Sequence, residues 1–580
     1  MWKNLRIMKF LKNNINTVFF TVMSFLSVAL LILMFNVGSA PAQNLSSTYE
    51  EQPFGEYLAG RHAFMNKDYS AAAEYYMQAL TLDPENIPLN QFALSVLITD
   101  GRFEDAARIS RRLNDLGEET NTSNLLVFFE NVKNSNYDDA LEEIDELSDT
   151  GIINLVKPFF RTWILVKLGR DAEAEEMIAA LDPESTFSFF NYYQSGLIFE
   201  FMGNIDKAEE YYAKSLDKNG VLNIRAVEAY GHILRVQDKN QQAIDVYDKY
   251  LINASANERL KKALSDTQNG LKSEKYIGSI EEGYAEIFYS MSTILMQDNV
   301  KRVATNFLQY AIYFKENFPL AHFLQAQIFE SDKYFSGAVS ELDKIDIKSP
   351  LYYQSKIQRA WLLDYMDQSE EALVALKKLK AEYKNSRDVM NSVAEFYRMH
   401  ERFSEAILEY DEIVNSIDQE TERDWMLYYT RGIVLDQEKL WDRAEKDFRK
   451  ALELRPEQPM VLNYLAYSWV DRGINYDEAK IMLERAVELR PNDGYIVDSL
   501  GWAIFKMGND DEEAARVLER AAQLQATDWA INDHLGDAYW TVGRKNEARF
   551  QWRHALSLSP DDENKITIKS KIKDGFKKAK

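Results

Sequence analysis

NYLAYSWVDRGINYDEAKIMLERAVELRP, residues 463–491, is followed by DSLGWAIFKMGNDDEEAARVLERAAQL, residues 498–524, and by HLGDAYWTVGRKNEARFQWRHALSLSP, residues 534–560. These are three copies of one pattern, about 35 residues apart. Each has a small residue in a first helical run, a Gly near that run's end, an Ala opening a second run and another Ala one turn before its close. Apolar residues at helical spacing, punctuated by Gly and Pro, predict two helices per copy. Pro491 and Pro560 close two of the copies.

The Ala that opens the second run is a ruler for the rest of the chain. A methyl is needed there because the two helices of a unit cross at close range. Ala72, Ala106, Ala140, Ala174 and Ala208 fall at intervals of 34, and Ala243 follows at 35. The first copy is the most complete, with Ala59, Gly60, Ala63, Ala72, Tyr76, Ala79 and Pro84 in place. From Ala243 to Ala304 the interval is 61, which fits neither one unit nor two. Inside it, Asn257–Leu271 reads as a single charged helix and Gly283–Gln297 as the start of a new pair. Residues 253–282 are therefore expected to form an irregular helical joint, a hinge or domain boundary. Ala304, Ala338, Ala372 and Ala406 resume the interval of 34, the polar insertion Ser416–Arg423 stretches the next to 38, and Ala444, Ala479, Ala514 and Ala548 complete the set. The 14 markers predict an all-α stack in three arrays, 43–252, 283–424 and 425–560. The lysine-rich stretch 561–580, with Ile566, Ile568 and Ile572, is expected to be a basic capping helix and tail over the apolar end of the stack. Contact with anionic lipid or an acidic partner is the alternative for that tail.

At 580 residues, 46% of them hydrophobic, the chain has ample material for a core, and 12 Pro and 23 Gly suit a mostly helical fold. The absence of cysteine excludes disulfides, thiolate metal sites, a thiol nucleophile and a lipidated Cys. A net charge of −24 disfavours nucleic-acid binding. Lys3, Arg6, Lys9 and Lys12 precede the uncharged run Val18–Phe35, and Ala40-Pro41-Ala42 offers a small-residue cleavage site. Residues 1–42 are expected to be a signal peptide or, uncleaved, a membrane anchor through 18–35. Either places the remainder across the membrane, in the periplasm or cell envelope. The six His (62, 232, 322, 400, 534 and 554) lie in separate units except the last two, a pair without a third metal ligand. No nucleophile, phosphate-binding or His-Glu-x-x-His motif is present. Asp510-Asp511 and Asp561-Asp562 fall at helix starts, where carboxylates stabilise the exposed N–H groups. No catalytic residue, metal or cofactor is expected, and the chain is read as a non-enzyme.

Through Leu500-Gly501-Trp502, Leu535-Gly536-Asp537, Ala538-Tyr539 and Ala555 with Pro560, the pattern resembles the tetratricopeptide repeat, a helix-turn-helix unit of about 34 residues. The resemblance implies a right-handed superhelical solenoid of about 14 units, with a concave wall made by the first helices. Its repeat-defining positions here are Gly60, Ala72, Ala106, Ala140, Ala174, Ala208, Ala304, Ala338, Ala372, Ala406, Ala444, Ala479, Gly501, Ala514, Gly536 and Ala548. Carried over by register, the partner-binding wall includes Tyr429, Tyr464, Asp471, Tyr495, Asp498, Trp502, Asp533, Asp537 and Trp540. Earlier units add Tyr57, Arg61, Phe190, Tyr193, Phe323, Gln327, Trp361, Asp364, Asn391 and Glu395. Rigid aromatics among carboxylates suit a protein or peptide ligand. The last block also resembles proteobacterial cell-envelope repeat proteins of the type that bind a C-terminal-processing protease and present substrates to it. The lipoprotein member of that group carries a Cys that this chain lacks. The expectation is a non-catalytic scaffold or adaptor for protein or peptide partners, among them a periplasmic protease and its substrates. A self-associating structural protein and an inner-membrane-anchored assembly factor for envelope components are the alternatives.

Overall fold

The structure, a computed structural model, describes residues 54–149, 151–216, 224–252, 257–273 and 275–577. The expected signal or anchor segment 1–42, and residues 253–256 and 274 of the expected joint, lie outside the described residues. The described residues form thirty α-helices, one short 3₁₀ helix at Glu422–Asp424 and no strand. Fourteen helical pairs run from Phe54–Met65 with Tyr69–Leu82 to Trp529–Thr541 with Lys545–Ser557. Two helices stand outside the pairing, Glu258–Gln268 after the sixth pair and Asp562–Asp574 at the end. None of the described helices is long and apolar enough to cross a membrane.

Helices this short are marginal on their own, so packing decides the fold. Ala72, Ala106, Ala140, Ala174, Ala208, Ala243, Ala304, Ala338, Ala372, Ala406, Ala444, Ala479, Ala514 and Ala548 are all 0% exposed. Opposite them, a first-helix residue without a side chain receives a ring from the second helix. In this way Gly196 meets Tyr212, Gly231 meets Tyr247, Gly432 meets Phe448 and Gly536 meets Trp552, each partner 16 residues on. A Cβ on Gly536 would overlap the Trp552 indole. The turns repeat with the same period. Lys67, Gly101, Ser135, Gly169 and Gly203 have positive φ at intervals of 34, as do Asn299, Lys333, Asp367 and Glu401. One left-handed residue ends the first helix and aims the second back along it. Non-glycine residues hold many of these positions, which hides the turn from a search for Gly.

The chain divides into two compact units, with the boundary between Leu379 and Lys380 inside the helix Ser369–Glu382. In the first, described from residue 54, one continuous apolar core runs from Ala63 to Ile328. The unpaired helix Glu258–Gln268 extends the N-terminal stack by packing on Asn240–Leu251. The chain then returns. Helix Ile280–Gln297 packs against Gly151–Lys167 and Ser188–Phe201, and Lys301–Phe314 packs against Ile87–Thr99. The described part of 253–282, where the sequence predicts a joint, packs against the N-terminal array. Ile277 and Ile280 are buried, and the Tyr276 hydroxyl donates to the Arg225 carbonyl at 3.2 Å. In the second unit each helix from Arg387–Met399 to Asp562–Asp574 packs on the next in sequence. Asp510 and Asp561 cap their helices by accepting from the Glu513 and Asn564 amides. In the final helix Ile568 is fully buried, but Ile566 is 72% exposed, so only part of the expected apolar cap is engaged.

Candidate functional site

The first-helix wall of the first unit is filled by the chain itself. Phe129 meets Phe288 at 5.2 Å, Tyr310 at 5.1 Å and Phe314 at 5.1 Å between ring centres. Phe160 meets Tyr284 and Phe288, each at 5.5 Å, and its carbonyl accepts from the Tyr284 hydroxyl at 2.8 Å. Gly283 lies against the indole of Trp163, which any side chain there would overlap. Polar groups close the same interface. The Tyr193 hydroxyl donates to Glu286 at 2.9 Å, and Arg225 pairs with both Glu286 and Glu228. Burial opposes the Arg225 charge, yet Glu286 leads the neighbours that hold its pKa above the ordinary range. Phe190 and Tyr193, expected to face a partner, are 1% and 0% exposed. Phe190 packs edge-on against Phe159, and Tyr193 serves the internal interface. Tyr57 lies between Tyr76 and Phe92, while Arg61 and Gln327 are exposed. Phe323, Trp361 and Asp364 are half-buried.

In the second unit the predicted wall residues lie on the first helices Trp425–Gln437, Pro459–Arg472, Gly494–Met507 and Trp529–Thr541, and Gly494–Met507 packs on both Pro459–Arg472 and Trp529–Thr541; Tyr464 is buried rather than open to a partner. Tyr429 contacts Tyr464 edge-on, and the Tyr464 hydroxyl donates to Asp436 at 3.2 Å. Asp436 also pairs with Arg472. A cleft of about 120 Å³ opens here between Asp436, Gln437, Tyr464, Tyr467, Ser468, Asp471 and Arg472. Asp471 is exposed and has no hydrogen bond or ion pair among the described residues. Farther on, His534 stacks on Trp502 at 3.9 Å and places Nδ1 3.0 Å from both oxygens of Asp498. Trp502 and Trp540 are half-buried, and Tyr495 is 50% exposed. Asn391 and Glu395 are half-buried on an earlier first helix of this unit, where Glu395 accepts from Arg398 at 2.7 Å.

Asp498, Asp533 and Asp537, read from the sequence as wall carboxylates, are 4%, 9% and 2% exposed. Burial first, and then Asp533, push the Asp537 carboxyl up to about 7, against the pull of Lys571 and His534. Burial opposes charge on His534, but Asp498 outweighs it and the imidazole pKa is raised. Lys571 in the final helix donates to Asp533 and to Asp537, each at 2.7 Å, and the Trp552 indole donates to Asp537 at 3.0 Å. Sequence reasoning missed this use of the tail, although an acidic partner for its lysines was the stated alternative. His554 contacts the Ala526 carbonyl, away from the Asp498–His534 pair, and no group of three metal-ligating side chains occurs among the described residues. The geometry offers charge pairing and aromatic contact.

The family model of the tetratricopeptide repeat matches residues 64–86, 191–217, 427–458, 475–493 and 531–562. No curated protein matches the sequence significantly. Among solved structures, a chain of the APC/C hetero-tetramer Cut9–Hcn1 is 14% identical, with 91% of this chain and 97% of that one covered and a TM-score of 0.37. A tetratricopeptide repeat protein from Parabacteroides merdae is 18% identical, covering 44% of this chain and 97% of its own, at a TM-score of 0.36. Yeast Tom70 is 16% identical, covering 90% and 95%, at a TM-score of 0.29. Fourteen helical pairs share one buried Ala position, and five segments within those pairs match the model of the tetratricopeptide repeat, which the chain is thus similar to over those residues.

Proposed function

We propose that this protein is a non-catalytic scaffold that holds protein or peptide partners on the first-helix wall of residues 425–541. One observation carries the reading: the equivalent wall of the first unit is filled by its own helices, whereas here Asp471 is unpaired among the described residues and Tyr495 and Trp502 keep exposed surface. Half-exposed aromatics beside carboxylates supply contact area at low entropic cost together with orientation by charge. The finer reading is an adaptor of the bacterial cell envelope, exported by way of residues 1–42, that presents substrates to a periplasmic protease. The basic residues before Val18–Phe35 and the likeness of the last block to envelope adaptors support it.

The test is crosslinking and affinity capture from envelope extracts with the intact chain and with a Trp502→Ala/Asp471→Lys variant. The expected result is a protease or cell-wall hydrolase captured by the wild type and lost with the variant, while the helical signal by circular dichroism stays unchanged. Equal capture by both proteins refutes the assignment of the wall. Recovery of the chain alone favours self-association.

A further inference from the structure

The last described residues occupy the end of the same wall. Helix Asp562–Asp574 is held by few side chains: only Ile568 is buried. Beyond Ile568, the contacts with the wall come from Lys571 in the helix's last turn and from Gly575 and Phe576 after it. Lys571 Nζ reaches Asp533 and Asp537, and its own stem is 13% exposed. Gly575, at φ +85°, lies against the benzene ring of Trp540, where any side chain would collide. Phe576 packs on Phe505 with ring centres 5.9 Å apart, and the Lys571 ammonium lies 5.4 Å from the Phe576 ring. Phe505 in turn stacks on Trp502 at 5.1 Å. A lysine, a glycine and an aromatic residue thus meet a carboxylate pair, an indole and a phenyl ring in the way a bound peptide would.

One atom in this contact is unmatched. Asp533 Oδ1 is buried and accepts no hydrogen bond from any described residue, while Oδ2 accepts one from the Lys571 ammonium. A buried carboxylate oxygen left unpaired is destabilising, because it has lost its water and gained no donor. An ammonium is a point donor, whereas a guanidinium offers a fork of N–H groups matched to carboxylates. The site is therefore better suited to arginine than to the residue that fills it.

We propose, resting on the scaffold reading above, that the wall formed by Asp533, Asp537, Trp540 and Phe505 is a receptor for a basic segment with an aromatic residue about five positions after an arginine or lysine. The chain's own Lys571–Phe576 occupies that receptor in cis, and a partner with the same chemistry enters by displacing it. A tethered occupant competes at an effective concentration on the order of millimolar, so weakening it raises the apparent affinity for a free segment.

The experiment uses a fluorescein-labelled peptide with the sequence of residues 566–577, ITIKSKIKDGFK. Fluorescence anisotropy follows its binding to the full chain and to a Lys571→Ala/Phe576→Ala variant. The variant should bind at least about tenfold more tightly than the wild type. Adding Asp533→Asn/Asp537→Asn should abolish that binding, and a peptide carrying Lys571→Arg should bind more tightly than the lysine form. Equal or absent binding to the two proteins overturns the proposal. Where the variant does not fold, hydrogen exchange on the wild type decides: excess peptide should accelerate exchange of residues 569–577, and no acceleration overturns it. A wild-type dimer held by exchanged tails, seen by light scattering, would make a second copy the occupant and also overturn it. Loss of partner capture through Trp502→Ala/Asp471→Lys without any peptide effect would leave the scaffold reading standing and remove this inference alone.

Discussion

If helices Ile280–Gln297 and Lys301–Phe314 are structural parts of the N-terminal array, Phe288→Ala must destabilise both partners of the interface. Phe288 is 0% exposed and lies within 6 Å, between ring centres, of Phe129, Phe160, Phe307, Tyr310 and Phe314. Removing a fully buried phenyl costs about 3–5 kcal/mol, the lost transfer energy plus the cavity. At about 1.4 kcal/mol per factor of ten, amide exchange by local opening should accelerate by roughly a hundred- to several-thousand-fold. Hydrogen exchange with peptide-level readout measures this across residues 121–133, 151–167 and 280–314. Acceleration in all three segments is expected, and Phe288→Leu, which refills much of the space, should show a far smaller effect. A cost under about 1 kcal/mol, or acceleration confined to 280–314, would refute the claim that the array is built around these helices.

Two further substitutions probe the second unit. Alanine for glycine inside an open helix gains roughly 0.5–1 kcal/mol, but a Cβ on Gly432 would stand 2.7 Å from the Phe448 ring. Gly432→Ala should therefore lose about 1–3 kcal/mol in urea titration, and a net gain would show that the ring does not fill this position. The Asp537 carboxyl, at about 7 in the fold against 3.8 unfolded, keeps a proton that the unfolded chain has released. Stability should accordingly fall as pH rises from about 4 through 7, because the folded state binds more protons across that window. His534 acts in the same sense: its contribution is complete below the ordinary imidazole value of 6.5 and is lost as pH rises through its raised pKa. Urea midpoints of the second unit at about pH 5 and about pH 8 should decline for the wild type and decline less for Asp537→Asn. Equal slopes would contradict the placement of that proton.

The tail recognition and the filled wall differ in how they were concealed. A lysine-rich terminus invites a surface reading, and only the position of Lys571 between Asp533 and Asp537 gives it a specific task. Likewise Phe190 and Tyr193 have the residue types and register of a binding wall. Their burial depends on Phe159 in the neighbouring repeat and on Glu286, which lies 93 residues from Tyr193.

The sequence by itself determined the helical pairs, their number and their spacing. Those features rest on contacts between adjacent helices: a buried Ala at each crossing, a glycine under a ring 16 residues on, and a turn of fixed length. Such short-range constraints repeat with the chain and so leave a period in it. Only the tertiary structure decided which wall is closed and which keeps exposed groups. The contacts that close the first wall join Thr99 to Asn306, Tyr193 to Glu286 and Lys67 to Asp332, across 207, 93 and 265 residues. They are made by ordinary apolar and polar side chains with no period of their own. Nothing local distinguishes a phenylalanine that meets a partner from one that meets a distant helix of the same chain.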